Sequence, residues 1–175
     1  YQLLVLAYCL MPNHVHFIAI PENQDSLAMT LKYTQMRYSH YYHTKNTLSG
    51  HLWQSRFYSS ILDQSHLYEA IRYVENNPVT AHLVKKAEDW KWSSARFHLF
   101  DEQNILSLAQ ISDYMQIGDW KNYLREYKNN STITQLRKNT YSGKPSGNDT
   151  FVNLLENLLG IRLKPSPRGR PKKIG

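Results

Sequence analysis

The chain has 175 residues, a net charge of +7, and 41% hydrophobic and 13% aromatic residues, which excludes disorder throughout and allows a substantial core. A lone Cys9 excludes an intramolecular disulfide and any Cys-x-x-Cys zinc motif, and favours a reducing, cytoplasmic setting. No apolar run approaches the roughly 20 residues of a membrane-spanning helix, so we expect no membrane partner.

Two apolar runs with β character, residues 3–11 and 15–20, open the chain. Pro12 and Asn13 interrupt them, which predicts a turn between two antiparallel strands. Side chains alternate along a strand, so His14 and His16 should project together. Two neutral imidazoles on one strand can bind a single cation, although two ordinary hydrogen-bonded histidines are the alternative. A third ligand and a reactive group must then come from elsewhere.

The remaining pattern is mainly helical. Apolar spacing predicts helices over 26–43 and from Asp63 or Ser65 to Asn77, where Pro78 disfavours a helical conformation in the residue before it. A short strand is predicted over 57–62, and shorter helices over 94–100, 108–115, 120–127 and 151–159. The order strand, strand, helix, strand, helix predicts an α+β sandwich with helices on an antiparallel sheet.

Tyr73 and Asn77 lie one turn apart on the second helix, beside its apolar stripe. Together they could supply a nucleophile and a third metal ligand, because an amide oxygen suits Mg²⁺ or Mn²⁺. A divalent cation would stabilise the charge that builds on a scissile phosphate. With 13 tyrosines in the chain, a packing or surface role is the alternative for Tyr73.

Three motifs occur in an order typical of one family: Tyr-Cys-Leu-Met-Pro-Asn-His-Val-His at 8–16, Gly-His-Leu-Trp-Gln-Ser-Arg-Phe at 50–57, and Arg-Tyr-Val-Glu-Asn-Asn-Pro-Val at 72–79. The chain resembles single-tyrosine transposases of the HUH endonuclease group, most closely those associated with repetitive extragenic palindromes. Trp-Lys-Trp-Ser-Ser at 90–94 is similar to the same family. The resemblance covers the first hundred residues well and the rest loosely.

The resemblance implies a ferredoxin-like fold, with His14, His16 and Asn77 as metal ligands and Tyr73 as the nucleophile. It also implies cleavage of single-stranded DNA near a hairpin, leaving a 5′-phosphotyrosine and a free 3′-hydroxyl, and rejoining without an external energy source. Relatives imply a monomer or a homodimer, with the tyrosine acting in cis or in trans. Family members carry a further strand and helix before the Tyr8 region, so we expect residues to be missing upstream.

We expect an endonuclease core at 1–100, a helical extension at 101–160 and a basic tail at 161–175. The tail carries six basic residues and no acidic one, which predicts a polyanionic partner, with a solubilising disordered end as the alternative. Arg168-Gly-Arg170-Pro resembles an AT-hook core, and non-specific phosphate contact is the alternative. The candidate DNA-binding residues of the tail are Arg168, Arg170, Lys172 and Lys173.

Two further surfaces could bind DNA. Trp53 and Arg56 follow a loop at Gly50 and could stack on unpaired bases and contact phosphate, whereas a core aromatic cluster is the alternative for Trp53. Lys32 and Arg37 lie among tyrosines of the first helix, for which packing on the sheet is the simpler interpretation.

These observations favour a metal-dependent single-stranded DNA endonuclease and strand-transferase. One alternative is a catalytically silent hairpin-binding protein derived from a transposase. Another is an unrelated metallohydrolase that uses His14 and His16, for which Tyr73 would be dispensable.

Overall fold

The computed structural model describes residues 2–102, 104–126 and 130–164. An antiparallel hairpin is followed by helices, which confirms the α+β class. The strands and helices are β1 (Leu3–Leu10), β2 (Val15–Pro21), α1 (Ser26–Asn46), α2 (Gln64–Glu75), α3 (Asn77–Thr80), α4 (Ala95–Phe100), α5 (Trp120–Arg125), α6 (Asn130–Ser142) and α7 (Asp149–Leu159). Within these described ranges, none of the helices is long and apolar enough to cross a membrane.

The hairpin forms as the sequence predicts. Cys9 of β1 pairs with His16 of β2, and the Met11 N–H donates to the His14 carbonyl at 2.9 Å across the turn. Exposed and half-buried residues alternate over the first four residues of β2, from Val15 to Ile18. The register therefore sends alternate side chains of β2 toward the helices.

The other edge of β1 is also hydrogen-bonded. The Leu10 N–H donates to the Trp92 carbonyl at 2.8 Å, and the Ser94 N–H donates to the Tyr8 carbonyl at 3.0 Å. Because β1 is bonded on both sides, β2 lies at a fixed position relative to the segment that follows α3.

Helix α2 carries the predicted apolar stripe toward the core. Asp63 caps its start by accepting from the His66 N–H at 2.8 Å, and Ala70, Ile71 and Val74 are buried. The predicted end at Asn77 is wrong. Helix α2 ends at Glu75, and after one intervening residue α3 begins at Asn77. Pro78 fits there because the first turn of a helix does not need its N–H.

One core joins residues from both sides of position 100. Ile71 of α2 packs in a buried cluster with Ala7, Ala87, Ala95, Met115, Trp120, Tyr123 and Leu124. The predicted divisions at residues 100 and 160 stay predictions, and the segment around α5 shares the core of the hairpin and α2.

A buried carboxylate links α2 to that later segment. Glu75 is fully buried and accepts from Ser94 Oγ at 2.5 Å, His98 Nδ1 at 2.6 Å and Trp120 Nε1 at 2.9 Å. A buried charge is tolerated only where donors replace its water, and these three donors do so. Glu75 thus fixes the C-terminal end of α2 against α4 and α5.

Two predicted elements are wrong. Residues 57–62 form no strand. Among the described residues their backbone makes a single isolated β-bridge, from Leu62 to Ser146. There the Ser146 N–H donates to the Ile61 carbonyl at 2.7 Å. The predicted helix at 108–115 is reduced to a 3₁₀ turn, Ile111–Asp113. The Ala109 N–H is used instead to bond the Val5 carbonyl at 2.9 Å.

Helix α6 is not predicted by the sequence. Its residues include many threonines, serines and asparagines, which have low helix propensity. It forms because Ile133 and Leu136 are buried as it packs against α2. Asn139 also donates from Nδ2 to the Pro145 carbonyl at 3.0 Å and to Ser146 Oγ at 3.1 Å, which holds the turn after the helix.

Helix α1 forms where predicted, three residues longer, but most of its aromatic residues do not pack on the sheet. Ser26 is its one buried residue, whereas Met36 is 55% exposed and Tyr41 is 56% exposed. The tyrosines of α1 therefore form a surface, contrary to the simpler packing interpretation.

Candidate active site

The histidine pair lies at the start of β2. The rings of His14 and His16 are 4.7 Å apart between centroids and nearly perpendicular, at 86°. Val15 between them is exposed. The predicted projection of the two imidazoles from one side of the strand is therefore present.

Hydrogen bonds fix which ring nitrogens carry lone pairs. Asn13 Oδ1 can only accept, so His14 Nδ1, 2.6 Å away, is the donor and Nε2 holds the lone pair. Asn77 Nδ2 can only donate, so His16 Nε2, 2.8 Å away, is the acceptor. Both imidazoles thus have the tautomer with the lone pair on Nε2, the atom through which a metal could bind. The lone pair of His16 accepts from Asn77 in this structure, so a cation would bind there in place of that hydrogen bond.

The surroundings keep both imidazoles neutral. The pKa of His16 is lowered to about 4, chiefly by burial, with the neighbouring His14 and the positive charge of Arg137 acting in the same direction. Burial and Arg137 also lower the pKa of His14. Neutral imidazoles bind a cation without first losing a proton.

Asn77 completes a possible ligand set. Its side chain is 5% exposed and its amide contacts His16 where α2 gives way to α3. In the part of the chain that the structure describes, no group of three or more histidine, cysteine, aspartate or glutamate side chains could hold a metal. A cation at the histidine pair would need a third donor of another kind, and the Asn77 amide oxygen could serve if it replaced the Nδ2 that faces His16 in this structure.

Tyr73 lies beside the same imidazole. Its ring centroid is 5.4 Å from that of His16, in an edge-on arrangement. Arg137 Nε donates to Tyr73 Oη at 3.1 Å, and the Arg137 guanidinium carbon lies 5.2 Å from the centre of the Tyr73 ring. The fold brings together a phenol, two imidazoles and an amide from β2, α2 and α3.

Arg137 and Asn13 are residues of this site that the sequence reasoning missed. The sequence pattern indicates Asn13 only as a turn residue. Arg137 lies on α6, whose sole sequence indication was the apolar spacing of Ile133 and Leu136. Apolar residues three positions apart in a polar segment are too sparse to predict a helix by themselves.

The predicted DNA-binding residues of the first hundred positions lie around α1. Trp53 donates from Nε1 to the Gln35 carbonyl at 3.1 Å, and its ring lies 5.8 Å from that of Tyr38. Arg56 is exposed and lines a shallow groove between its loop and α1. Lys32 and Arg37 are also exposed on α1. Trp53 is half-buried against the helix, so both interpretations of it have some support.

The four tail candidates, Arg168, Arg170, Lys172 and Lys173, lie outside the described residues. Their proposed contact with DNA stays a prediction.

Comparison with known proteins assigns the N-terminal part. Residues 1–77 match a family model described as "Transposase IS200 like". This segment, less than half of the chain, is therefore similar to IS200-like transposases. The segment includes both histidines, Tyr73 and Asn77, and the match confirms the resemblance seen in its motifs.

A second comparison agrees with the IS200-like assignment. The chain is 29% identical over 110 residues to a Haemophilus influenzae protein named "Putative REP-associated tyrosine transposase". The match covers 56% of this chain and 61% of that protein. No solved structure matches the chain.

Proposed function

We propose that the protein is a metal-dependent single-stranded DNA endonuclease and strand-transferase that acts at DNA hairpins through Tyr73. One observation carries the proposal: the Tyr73 ring and the Asn77 amide both contact His16, and His14 lies beside it. The similarity of residues 1–77 to IS200-like transposases supports it independently.

His14, His16 and Asn77 would hold a divalent cation, Mg²⁺ or Mn²⁺. When bound, the cation supplies charge stabilisation to the scissile phosphate. The donor atoms of this chain suit that role because both imidazoles are neutral and the third donor is an uncharged oxygen. The positive charge of the cation would then be fully available to the phosphate.

Tyr73 would be the nucleophile. Its Oη attacks the phosphorus, the phenolic proton is lost, and the bond between phosphorus and the 3′ oxygen breaks, so that this oxygen leaves as a hydroxyl after gaining a proton. The product is a 5′-phosphotyrosine. Because one phosphodiester replaces another, a second 3′-hydroxyl can later displace the tyrosine without an external energy source. The placement of Tyr73 beside His16 of the same chain supports action in cis.

The DNA would be held outside this site by residues of three surfaces. Trp53 offers a ring for base stacking, and Arg56, Lys32 and Arg37 offer charges for phosphate. The basic tail would add affinity through Arg168, Arg170, Lys172 and Lys173.

The test is an adduct assay with a labelled single-stranded hairpin oligonucleotide and Mg²⁺ or Mn²⁺. The proposal predicts a protein–DNA adduct that survives denaturation, disappears in Tyr73→Phe and persists in Tyr141→Phe, which changes an exposed tyrosine of α6. A mobility shift without an adduct would indicate a silent hairpin-binding protein. Cleavage without an adduct, undiminished in Tyr73→Phe, would indicate a metallohydrolase.

A further inference from the structure

We propose that Arg137 is a positioning residue for Tyr73, so that the C-terminal helix α6 forms part of the active site. The inference rests on the proposed function and adds to it a residue outside the segment that matches the transposase family. In this proposal, the side chain that positions Tyr73 comes from α6 and not from the first hundred residues.

Two contacts hold the tyrosine. Arg137 Nε donates to Tyr73 Oη at 3.1 Å while the guanidinium lies against the ring, 5.2 Å from its centre. Tyr73 is half-buried, and its ring also packs against the buried cluster of Cys9, Met11 and Val74. Fixing both the ring and its oxygen removes conformational freedom that attack on phosphorus would have to remove.

The direction of the hydrogen bond is compatible with nucleophilic attack by Tyr73. A guanidinium has only donors, so Tyr73 Oη must be the acceptor. The phenolic hydrogen is not used in this contact and can depart during attack. A donor already aimed at the oxygen also stabilises the negative charge that the oxygen develops as that proton leaves.

The helix that carries Arg137 is firmly held. Ile133 and Leu136 are buried, and Asn139 bonds the Pro145 carbonyl and Ser146. Ser146 in turn is bonded by the Asp63 N–H at 3.0 Å, directly before α2 begins. The arginine and the tyrosine are thus on two helices that are tied together at one end.

The charge of Arg137 also points to an anionic ligand. Among the described residues it forms no ion pair with a carboxylate. A guanidinium beside a cation site is unfavourable unless an anion lies between them, and a phosphodiester meets that requirement.

The experiment compares Arg137→Met and Arg137→Lys with Lys138→Met, which removes a neighbouring exposed charge from the same helix. For each full chain we would measure single-turnover adduct formation on the hairpin oligonucleotide, oligonucleotide binding in EDTA, and the melting temperature. We expect Arg137→Met to slow adduct formation about 10- to 100-fold, with the dissociation constant changed less than about threefold. Arg137→Lys should recover part of the rate, because it retains a charged donor.

Three outcomes would overturn the inference: an unchanged rate in Arg137→Met, an equal loss in Lys138→Met, or a loss fully explained by weaker DNA binding. If Arg137→Met does not fold, Arg137→Lys decides. Because the lysine donor is less rigid, a rate below that of the wild type with unchanged DNA binding would support the inference, and a wild-type rate would overturn it. Absence of an adduct in the wild type would instead overturn the proposed function, and this inference with it. A wild-type adduct with normal Arg137 variants would overturn the inference alone.

Discussion

The face between β2 and α2 differs sharply from the surface of α1. On the first, His14, Tyr73 and Asn77 each contact His16, although Tyr73 and Asn77 come from other elements. On the second, aromatic rings meet mainly their own neighbours, as Tyr38 does at 6.1 Å from Tyr42, and much of their area is exposed. Both regions are rich in aromatic and basic residues, so composition alone does not distinguish a site from a surface.

The difference lies in what is buried behind each region. Helix α2 is held by Ile71 in the apolar core and by Glu75 in a buried polar cluster, and both side chains are fully buried. Helix α1 has no comparable support, because Ser26 is its one buried residue. Rigid support lets α2 present Tyr73 in a defined position. A helix without such support can offer contacts to a ligand but cannot align reacting atoms.

The largest expected effect is a loss of stability on removing Glu75, the buried carboxylate that supports α2. Glu75→Ala should lower the free energy of unfolding by about 3–5 kcal/mol, because it leaves His98 and Trp120 without their buried acceptor. The matched variant is Glu69→Ala, which breaks the more exposed pair with Arg72 and should cost less than about 1 kcal/mol. Chemical denaturation measures both. Equal losses would contradict the claim that Glu75 is the specific support of α2.

A second effect is a pH dependence that the β2–α2 face should show. Between pH 6.5 and about 4 the unfolded chain binds a proton at His16 that the folded chain does not, so stability falls as the pH falls. The difference between the two pKa values corresponds to at most about 3 kcal/mol.

Denaturation midpoints in EDTA at several pH values measure this effect. His16→Gln should lose most of the slope within that window, whereas His40→Gln on exposed α1 should keep it. A slope that is the same in wild type and His16→Gln would show that the buried imidazole is not its source.

The smallest effect belongs to α1. Arg37→Ala should change stability by less than about 0.5 kcal/mol, since the side chain is exposed. If it contacts phosphate, the slope of log affinity against log salt should fall by about 0.7 for single-stranded DNA. Lys85→Ala, an exposed lysine outside α1, is the control. An identical salt slope in wild type and Arg37→Ala would remove this arginine from the DNA-binding surface.

The sequence predicted the parts of the site whose positions follow from local rules. Strand alternation placed His14 beside His16, and helical spacing placed Tyr73 and Asn77 on one side of α2, although the chain leaves α2 before Asn77. Nothing local indicated that residues 57–62 would lack a partner strand, because pairing depends on which segment lies alongside. Arg137 could not be predicted as a site residue for a similar reason. Helix α6 is stabilised by burial against α2 and by the Asn139 contacts, which override its low helix propensity.

The most direct test of the central claim is to map the covalent nucleotide on the protein. The chain has 13 tyrosines, so an adduct alone does not identify the nucleophile. After reaction with the hairpin oligonucleotide, nuclease trimming and proteolysis, mass spectrometry should place the 5′-phosphate on Tyr73. A phosphate found on a different tyrosine, with Tyr73 unmodified, would contradict the account.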